Sequence, residues 1–239
     1  MPKRRKAMIS IIIPVLNEEK HISSALENIE RLNGEKEIIV IDGGSSDNTA
    51  EIVKNRGITL LSYIKQGRGC QMNRGAEIAK GEALLFLHAD TILLEDGLIK
   101  IQEALKDPEI IGGRFDVRFD DGRLVFKLIA FLMNWRSRLT GISTGDQAIF
   151  IRKNIFKKIG GYLEVPLMED IELSKRMKKA GSLACLKDMV ITSARKWKEE
   201  GIVRTIILMW SLRLLYFFRV SPEALSRIYY RKKQEYSNF

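Results

Sequence analysis

The sequence predicts an α/β fold: a mostly parallel sheet with helices on both faces, plus a C-terminal amphipathic helical segment. Three observations carry this. Residues 8–15, 37–41 and 83–87 are short, largely apolar runs of the kind that form strands buried on both faces. Helical stretches separate these runs, giving a β-α-β-α-β-α-β order whose crossovers favour parallel pairing. Residues 202–220 are largely apolar yet hold Arg204, Arg213 and Arg219, a mixture that suits a helix lying on a surface.

The first strand, residues 8–15, is rich in isoleucine and ends at Pro14-Val15. A helix over 18–32 follows, with Ile22, Ala25, Leu26, Ile29 and Leu32 on one face and Gly34 as its stop. The second strand, 37–41, runs into the polar loop Asp42-Gly43-Gly44-Ser45-Ser46-Asp47, and a helix begins near Asn48. A third strand spans 58–63, a helix spans 70–80, and the fourth strand, 83–87, leads directly into His88-Ala89-Asp90. Ligands of such sheets bind beyond the carboxyl ends of the strands, where Asn17, Asp42 and Asp90 all fall. In the second half we expect one or two strands within 110–119, an apolar helix over 125–139, a strand over 147–151 and a helix over 169–180 ended by Gly181.

The chain has 239 residues, 45% of them hydrophobic, enough for one substantial core. Its net charge of +10 attracts polyanions without choosing among them. Zinc-finger spacing and an aromatic RNA-binding strand are both missing, so nucleic acid is not an expected partner. Cys70 and Cys185 form no CxxC and are too few for a disulfide framework, which points to a reduced, cytoplasmic setting. The basic run 3–6 precedes an apolar stretch, but that stretch is short, contains Pro14 and lacks a small-residue cleavage site, so no signal peptide is expected.

Five segments, in order, resemble family 2 glycosyltransferases of the GT-A fold: SIIIPVLNEE (10–19), EIIVIDGGSSDNT (37–49), NRGA (73–76), ALLFLHADT (83–91) and MEDIEL (168–173). The resemblance covers roughly residues 8–180. It implies an inverting transfer of one sugar from a nucleotide-diphosphate-sugar to a hydroxyl acceptor. It divides the chain into a basic tail (1–7), a GT-A domain (8–200) and a C-terminal helical segment (201–239).

The resemblance also assigns residues. Pro14, Asn17 and Glu18 match the first nucleotide-contacting loop, although Asn17 suits a helix cap equally well. Asp42 matches the carboxylate that meets the nucleobase, with Gly44 beside it letting backbone approach the ligand; the same residues make good turn chemistry. Asn73 and Gly75 belong to a matched segment, and Arg68 is a candidate partner for the diphosphate. His88-Ala89-Asp90 stands where the family has Asp-x-Asp, so Asp90 is the expected ligand of Mn²⁺ or Mg²⁺, and His88 is a departure that would favour Mn²⁺ if it bound directly. Asp170 matches the catalytic base, at a helix start that favours negative charge. Gly145, Asp146, Gln147 and Glu169 are expected to frame the acceptor and sugar, joined by Arg195 and Trp197 from the region after the last strand. That region lacks the Q-x-x-R-W of processive synthases, which implies single additions.

Two further classes stay open at this point, a sugar nucleotidyltransferase and a catalytically degenerate GT-A domain. Against the first stands the acidic Asn17-Glu18-Glu19, where a triphosphate-binding loop should be glycine-rich and basic. Three arginines make it costly for 202–220 to span a bilayer. An interfacial helix at the inner face of the cell membrane fits better, with Trp210, Tyr216, Phe217 and Phe218 near the headgroups and Arg227, Arg231, Lys232 and Lys233 drawn to anionic lipid. Such a helix suits a polyprenyl or other lipid acceptor. A homodimer contact through the same segment is the alternative.

Overall fold

The structure, a computed structural model, describes residues 7–65 and 67–234. The basic run 3–6 and the side chains of Arg231, Lys232 and Lys233 lie outside the described residues.

The N-terminal half follows the expected alternation: β1 (Ile9–Val15), α1 (Glu19–Arg31), β2 (Lys36–Asp42), α2 (Thr49–Asn55), β3 (Thr59–Ser62), α3 (Arg68–Ile78) and β4 (Ala83–Phe86). Next come β5 (Thr91–Ile92), α4 (Gly97–Ala104), β6 (Ile110–Phe119) and α5 (Leu124–Thr140), then a 3-10 turn, Gly145–Gln147, and β7 (Phe150–Arg152). The chain continues through α6 (Lys153–Lys158), α7 (Glu169–Ala180), β8 (Ser182–Thr192), α8 (Arg195–Glu200), α9 (Ile202–Phe217) and α10 (Pro222–Gln234).

One eight-stranded sheet has the order β3-β2-β1-β4-β7-β6-β8-β5. β3, β2, β1 and β4 are mutually parallel, as expected. The other half is mixed. β7 runs antiparallel to both β4 and β6, β6 is parallel to β8, and β5 is antiparallel to β8. Pro14 sits in a central strand without breaking it. Ile12 turns its carbonyl toward Leu87, so two residues on Pro14 faces the same side, beyond the last residue of β4 that pairs with β1.

Alternate residues of β1 feed two cores. Ile9, Ile11, Ile13 and Val15 pack with Ile22, Leu26 and Ile29 of α1, whereas Ile12 packs with Met72 and Ala76 of α3. Helices therefore cover both faces, as the unbroken apolar strands require. Each fully buried Ile or Leu contributes roughly 1.5–3 kcal/mol. Gly75 is fixed by this packing, since a Cβ there would lie 2.5 Å from Ile12 Cγ2.

Three expectations need correction. The strand expected over 147–151 begins only at Phe150, because Gly145–Gln147 closes into a 3-10 turn in which the Gln147 side-chain oxygen accepts the Thr144 amide at 3.2 Å. The segment 202–220 is not one helix to its end. α9 stops at Phe217, Arg219 adopts φ 63°, and α10 begins at Pro222. Tyr216 does not face outward with Trp210. It shares the inward side of α9 with Leu208 and Leu212, and Lys175 of α7 lies 4.5 Å over its ring. Leu208 and Leu212 pack on Met168 and Ile171, so α9 roofs the start of α7.

Candidate active site

Two loops beyond the parallel strands brace each other. Asn17 takes a left-handed backbone (φ 55°), and its Oδ1 accepts the Ser46 amide at 2.8 Å, while its own amide donates to Ser45 Oγ at 2.9 Å. The Glu18 amide donates to Thr49 Oγ1 at 2.8 Å and the Glu19 amide to Asp47 Oδ2 at 3.1 Å. Asp42 is 5% exposed. Its carboxylate accepts the amides of Gly44 and Ser45 at 3.1–3.2 Å and the Ser45 hydroxyl. The turn reading of Asp42 and Gly44 is thus visible directly. The carboxylate shapes the loop that Gly44, at φ 95°, closes.

A cavity of about 220 Å³ lies outside these loops, and Asn17, Glu18, Asp42 and Gly44 do not line it. Arg68, His88, Asp90, Gly145, Asp146, Glu169, Asp170 and Trp197 line it, bringing together eight of the residues singled out in the sequence. Its volume falls below the roughly 300–1,000 Å³ of a typical small-molecule site.

Glycine is required at 145 by close contact. A Cβ there would lie 2.5 Å from both Cε1 and Nε2 of His88. The imidazole therefore rests on the 3-10 turn, and its Nδ1 approaches Asp146 Oδ1 at 3.5 Å. Gly145 also donates its amide to Asp170 Oδ2 at 3.0 Å, and Ile171 donates to Asp170 Oδ1 at 2.7 Å. One turn thus orients both the histidine and the aspartate. Met168, which precedes α7, holds φ 71° and aims the Glu169-Asp170 pair; such backbone strain tends to gather at functional sites.

The electrostatics are those of a crowded charged pocket. Burial and the neighbouring Asp170 raise the Glu169 pKa, and burial and Asp90 raise that of Glu18. Burial opposes ionisation of Asp146, but the His88 hydrogen bond and the charges of His88, Arg68 and Lys196 outweigh it and lower its pKa. Arg68 is surrounded by cavity walls while its surface stays open to the cavity itself. Burial works to lower its pKa, yet Glu169, Asp146, Tyr229 and Asp90 leave it raised.

Other sequence candidates stand apart from the cavity. Asn73 clips α3 to the chain before α7: its amide donates to the Tyr162 carbonyl at 2.9 Å and its oxygen accepts the Tyr162 amide at 2.8 Å. Gln147 is fully buried in the capping interaction. Pro14 is buried within β1. Arg195 turns away to His21 and lies 3.9 Å from Glu18 Oε2, so Lys196 takes the place in the cavity wall. Trp197 lines the cavity while packing edge-on against Phe119, 5.7 Å between centroids. Sequence reasoning missed Tyr162, Lys196, Met209, Arg213 and Tyr229, all of which line the cavity. The spacing of Arg213, half a turn around α9 from Arg204, was an available signal. Among the described residues no group of three or more His, Cys, Asp or Glu side chains is disposed to hold a metal ion by itself.

This sheet and cavity define a GT-A glycosyltransferase fold. Solved structures share it: the mannosyltransferase PcManGT from Pyrobaculum calidifontis, in complex with GDP-Man and Mn²⁺, at a TM-score of 0.65 and 20% identity over 79% of this chain and 57% of that one. S. aureus TarS 1-349 in complex with UDP-GlcNAc gives 0.64 and 19%, over 78% and 58%. The glycosyl transferase family 2 profile matches residues 10–160, and the chain belongs to that family. Among curated relatives, a PGL/p-HBAD biosynthesis glycosyltransferase of Mycobacterium bovis is 33% identical over 65% of this chain and 63% of its own length. A poly-beta-1,6-N-acetyl-D-glucosamine synthase of Staphylococcus epidermidis is 25% identical over 91% and 48%. The chain thus spans less than two thirds of either relative.

Proposed function

We propose that this glycosyltransferase transfers a single sugar, with inversion, from a nucleotide-diphosphate-sugar to a hydroxyl acceptor, assisted by a divalent metal. One observation carries the reading: Asp90 and Asp170 line the same small cavity, and the turn that orients Asp170 also seats His88 beside Asp146. Asp170 accepts the acceptor's proton as its oxygen attacks the anomeric carbon. In-line attack from that side inverts the centre. Arg68 meets the diphosphate that departs.

The donor set fits Mn²⁺ or Mg²⁺. Such ions are commonly held by one or two carboxylates and complete their shell with substrate phosphate and water, which agrees with a site offering fewer than three protein ligands. Asp90 would hold the ion, and when bound it neutralises the leaving diphosphate. His88, seated on Gly145 and turned to Asp146, serves better as the partner of Asp146 than as a ligand. The nucleoside end of the donor lies along Asn17, Glu18, Asp42 and Gly44. The two solved neighbours hold GDP-Man and UDP-GlcNAc, which supports the donor class and leaves the base open.

The acceptor is read as lipid-borne, met at a membrane surface. Val203, Ile207, Trp210, Leu214 and Phe217 of α9 are exposed at spacings of four and three, and Leu124, Leu128, Phe131, Trp135 and Leu139 of α5 repeat that rhythm. Exposed Lys127 and Arg219 accompany the two tryptophans, a combination suited to anionic headgroups. Among the described residues no helix is long and apolar enough to cross a membrane.

The donor half is tested by thermal stabilisation with UDP, GDP and their sugars, with and without Mn²⁺, on wild type and Asp90→Ala. A ligand at about 100 times its Kd adds roughly 2.7 kcal/mol. Metal-dependent stabilisation by one base, lost in Asp90→Ala, is expected. Stabilisation that ignores both metal and Asp90 would refute the metal assignment.

A further inference from the structure

Asparagine is a poor helix former, because its amide competes for nearby backbone. Asn134 nevertheless stands within α5, with its side chain turned to the sheet. There it does the work of a missing strand. On the side of β6 away from β8, β7 pairs only with Gly112 and Gly113. Further along, Val117 donates its amide to Asn134 Oδ1 and its carbonyl accepts Asn134 Nδ2, both at 2.9 Å. The same Oδ1 takes a third bond. Gln147, fully buried, donates Nε2 to it at 3.4 Å and turns its own Oε1 to the Thr144 amide. Backbone donors fix which way both side chains point. The amides of Val117 and Thr144 each need an oxygen, which leaves Gln147 Nε2 facing Asn134 Oδ1. The next amide along, that of Gly145, is the one that donates to Asp170 Oδ2, and Gly145 also seats the His88 ring. The turn needs such support. Ala148, at its end, is fully buried in a left-handed backbone (φ 48°), a strained state that persists only where its surroundings over-determine it.

We propose that Asn134 is a positioning residue of the transferase: through Gln147 it fixes the turn that orients Asp170 and His88, without touching substrate itself. The proposal rests on the reading of Asp170 as base. Removing the Asn134 amide leaves the buried Nε2 of Gln147 without an acceptor, which is costly. Gln147 then turns or admits water, and the backbone of Thr144 and Gly145 moves with it. A displacement of about 1 Å at a reacting group can cost about 10²-fold in rate. α5 thereby has two duties. Its outward side carries the exposed stripe of Leu128, Phe131 and Trp135, and its inward side holds the catalytic turn. The fold also supplies a control. Asn28 of α1 clips Leu93 with the same pair of bonds, both at 3.0 Å, and among the described residues no hydrogen bond of that side chain leads to the turn.

The test compares Asn134→Ala, Gln147→Met and Asn28→Ala with wild type, in the full chain with Mn²⁺ and UDP-GlcNAc or GDP-Man, water serving as acceptor. Release of nucleoside diphosphate gives kcat and KM, melting gives Tm, and hydrogen exchange read by mass spectrometry follows the segment 142–149. Both asparagine variants should lower Tm. Asn134→Ala and Gln147→Met should each lower kcat by about 10–100-fold with KM little changed, and should speed exchange over 142–149 by about tenfold. Asn28→Ala should leave kcat and that exchange as in wild type. The double variant Asn134→Ala/Gln147→Met should fall no further than either alone, since both cut one path. A wild-type kcat in Asn134→Ala overturns the proposal, as does a fall shared equally by Asn28→Ala or an unchanged exchange over 142–149. If Asn134→Ala fails to fold, Gln147→Met, which leaves the Val117 clip in place, decides alone. Asp170→Asn separates the two readings. Wild-type turnover in that variant removes Asp170 as base, and exchange then decides whether Asn134 holds the turn, as it does where neither donor is turned over.

Discussion

The braced loops and the cavity are built differently. On the donor side, short polar groups and backbone amides hold one another: Asp42 accepts from Gly44 and Ser45, Asn17 from Ser46, and the Glu18 amide donates to Thr49. In the cavity wall, charged side chains from distant elements gather under the apolar side of α9, among them Arg68, Lys196 and Arg213. A braced loop presents a fixed shape whether or not ligand is there. A gathering of unmatched charge is completed by what binds.

The largest break in that comparison is expected from Asp170→Asn. It keeps the shape of the side chain and removes the proton acceptor, so kcat should fall by about 10²–10⁴. Donor affinity, read by thermal shift with nucleoside diphosphate, should stay as in wild type. A kcat within threefold of wild type would remove Asp170 from the chemistry. Asp42→Ala should do the reverse. Leaving the turn amides of Gly44 and Ser45 without the buried carboxylate that accepts them costs about 1–3 kcal/mol, read as a lower Tm, and nucleotide binding should weaken with kcat largely kept at saturating donor. If Asp42→Ala leaves both Tm and nucleotide affinity unchanged, the loop is not the nucleoside platform.

The same division governs how much could be read from sequence. The donor side is local in the chain. Strand, turn and helix start lie within a dozen residues of one another, so Asp42, Gly44, Asn17 and Asp90 announce themselves through turn chemistry and position. The parallel order of β1 to β4 follows from the same rhythm. The acceptor side is assembled from afar. Arg213 enters from α9, Tyr229 from α10 and Asp170 from α7, and nothing in the local pattern of these helices says that they line one cavity. Asn73 and Gly75 fall in a matched segment, and their packing roles were not legible there: one clips Tyr162 and the other lets α3 close on Ile12. Tyr216 was lost for a similar reason, since its neighbours Leu208 and Leu212 settle which side of α9 is buried only once α7 is in place.

The apolar stripes sharpen the acceptor side. The double variant Trp210→Ser/Phe217→Ser should reduce co-sedimentation with phosphatidylglycerol vesicles about tenfold, since each side chain removes apolar area from the contact, while Tm and nucleotide binding hold. If vesicle binding is unchanged and the protein shifts from dimer to monomer on gel filtration, the face belongs to a second copy and the lipid reading fails.

The smallest effect expected is also the most diagnostic of the crowded pocket. Glu169 carries a pKa raised above its ordinary value of 4.5 by burial and by Asp170. Its ionised form is therefore penalised in the folded chain. Below pH 4.5 both folded and unfolded chains hold the proton and no penalty applies. As the pH rises through the folded pKa the unfolded chain ionises first, and stability is lost. Glu169→Gln removes the penalty, so its Tm should exceed that of wild type at pH 7–8 by the equivalent of about 0.5–1 kcal/mol. The gain should shrink toward zero as the pH falls to 4.5. A variant less stable than wild type at pH 7.5 would mean that the attraction between Glu169 and Arg68 outweighs burial and repulsion, and that the two form a stabilising pair across the mouth of the donor site.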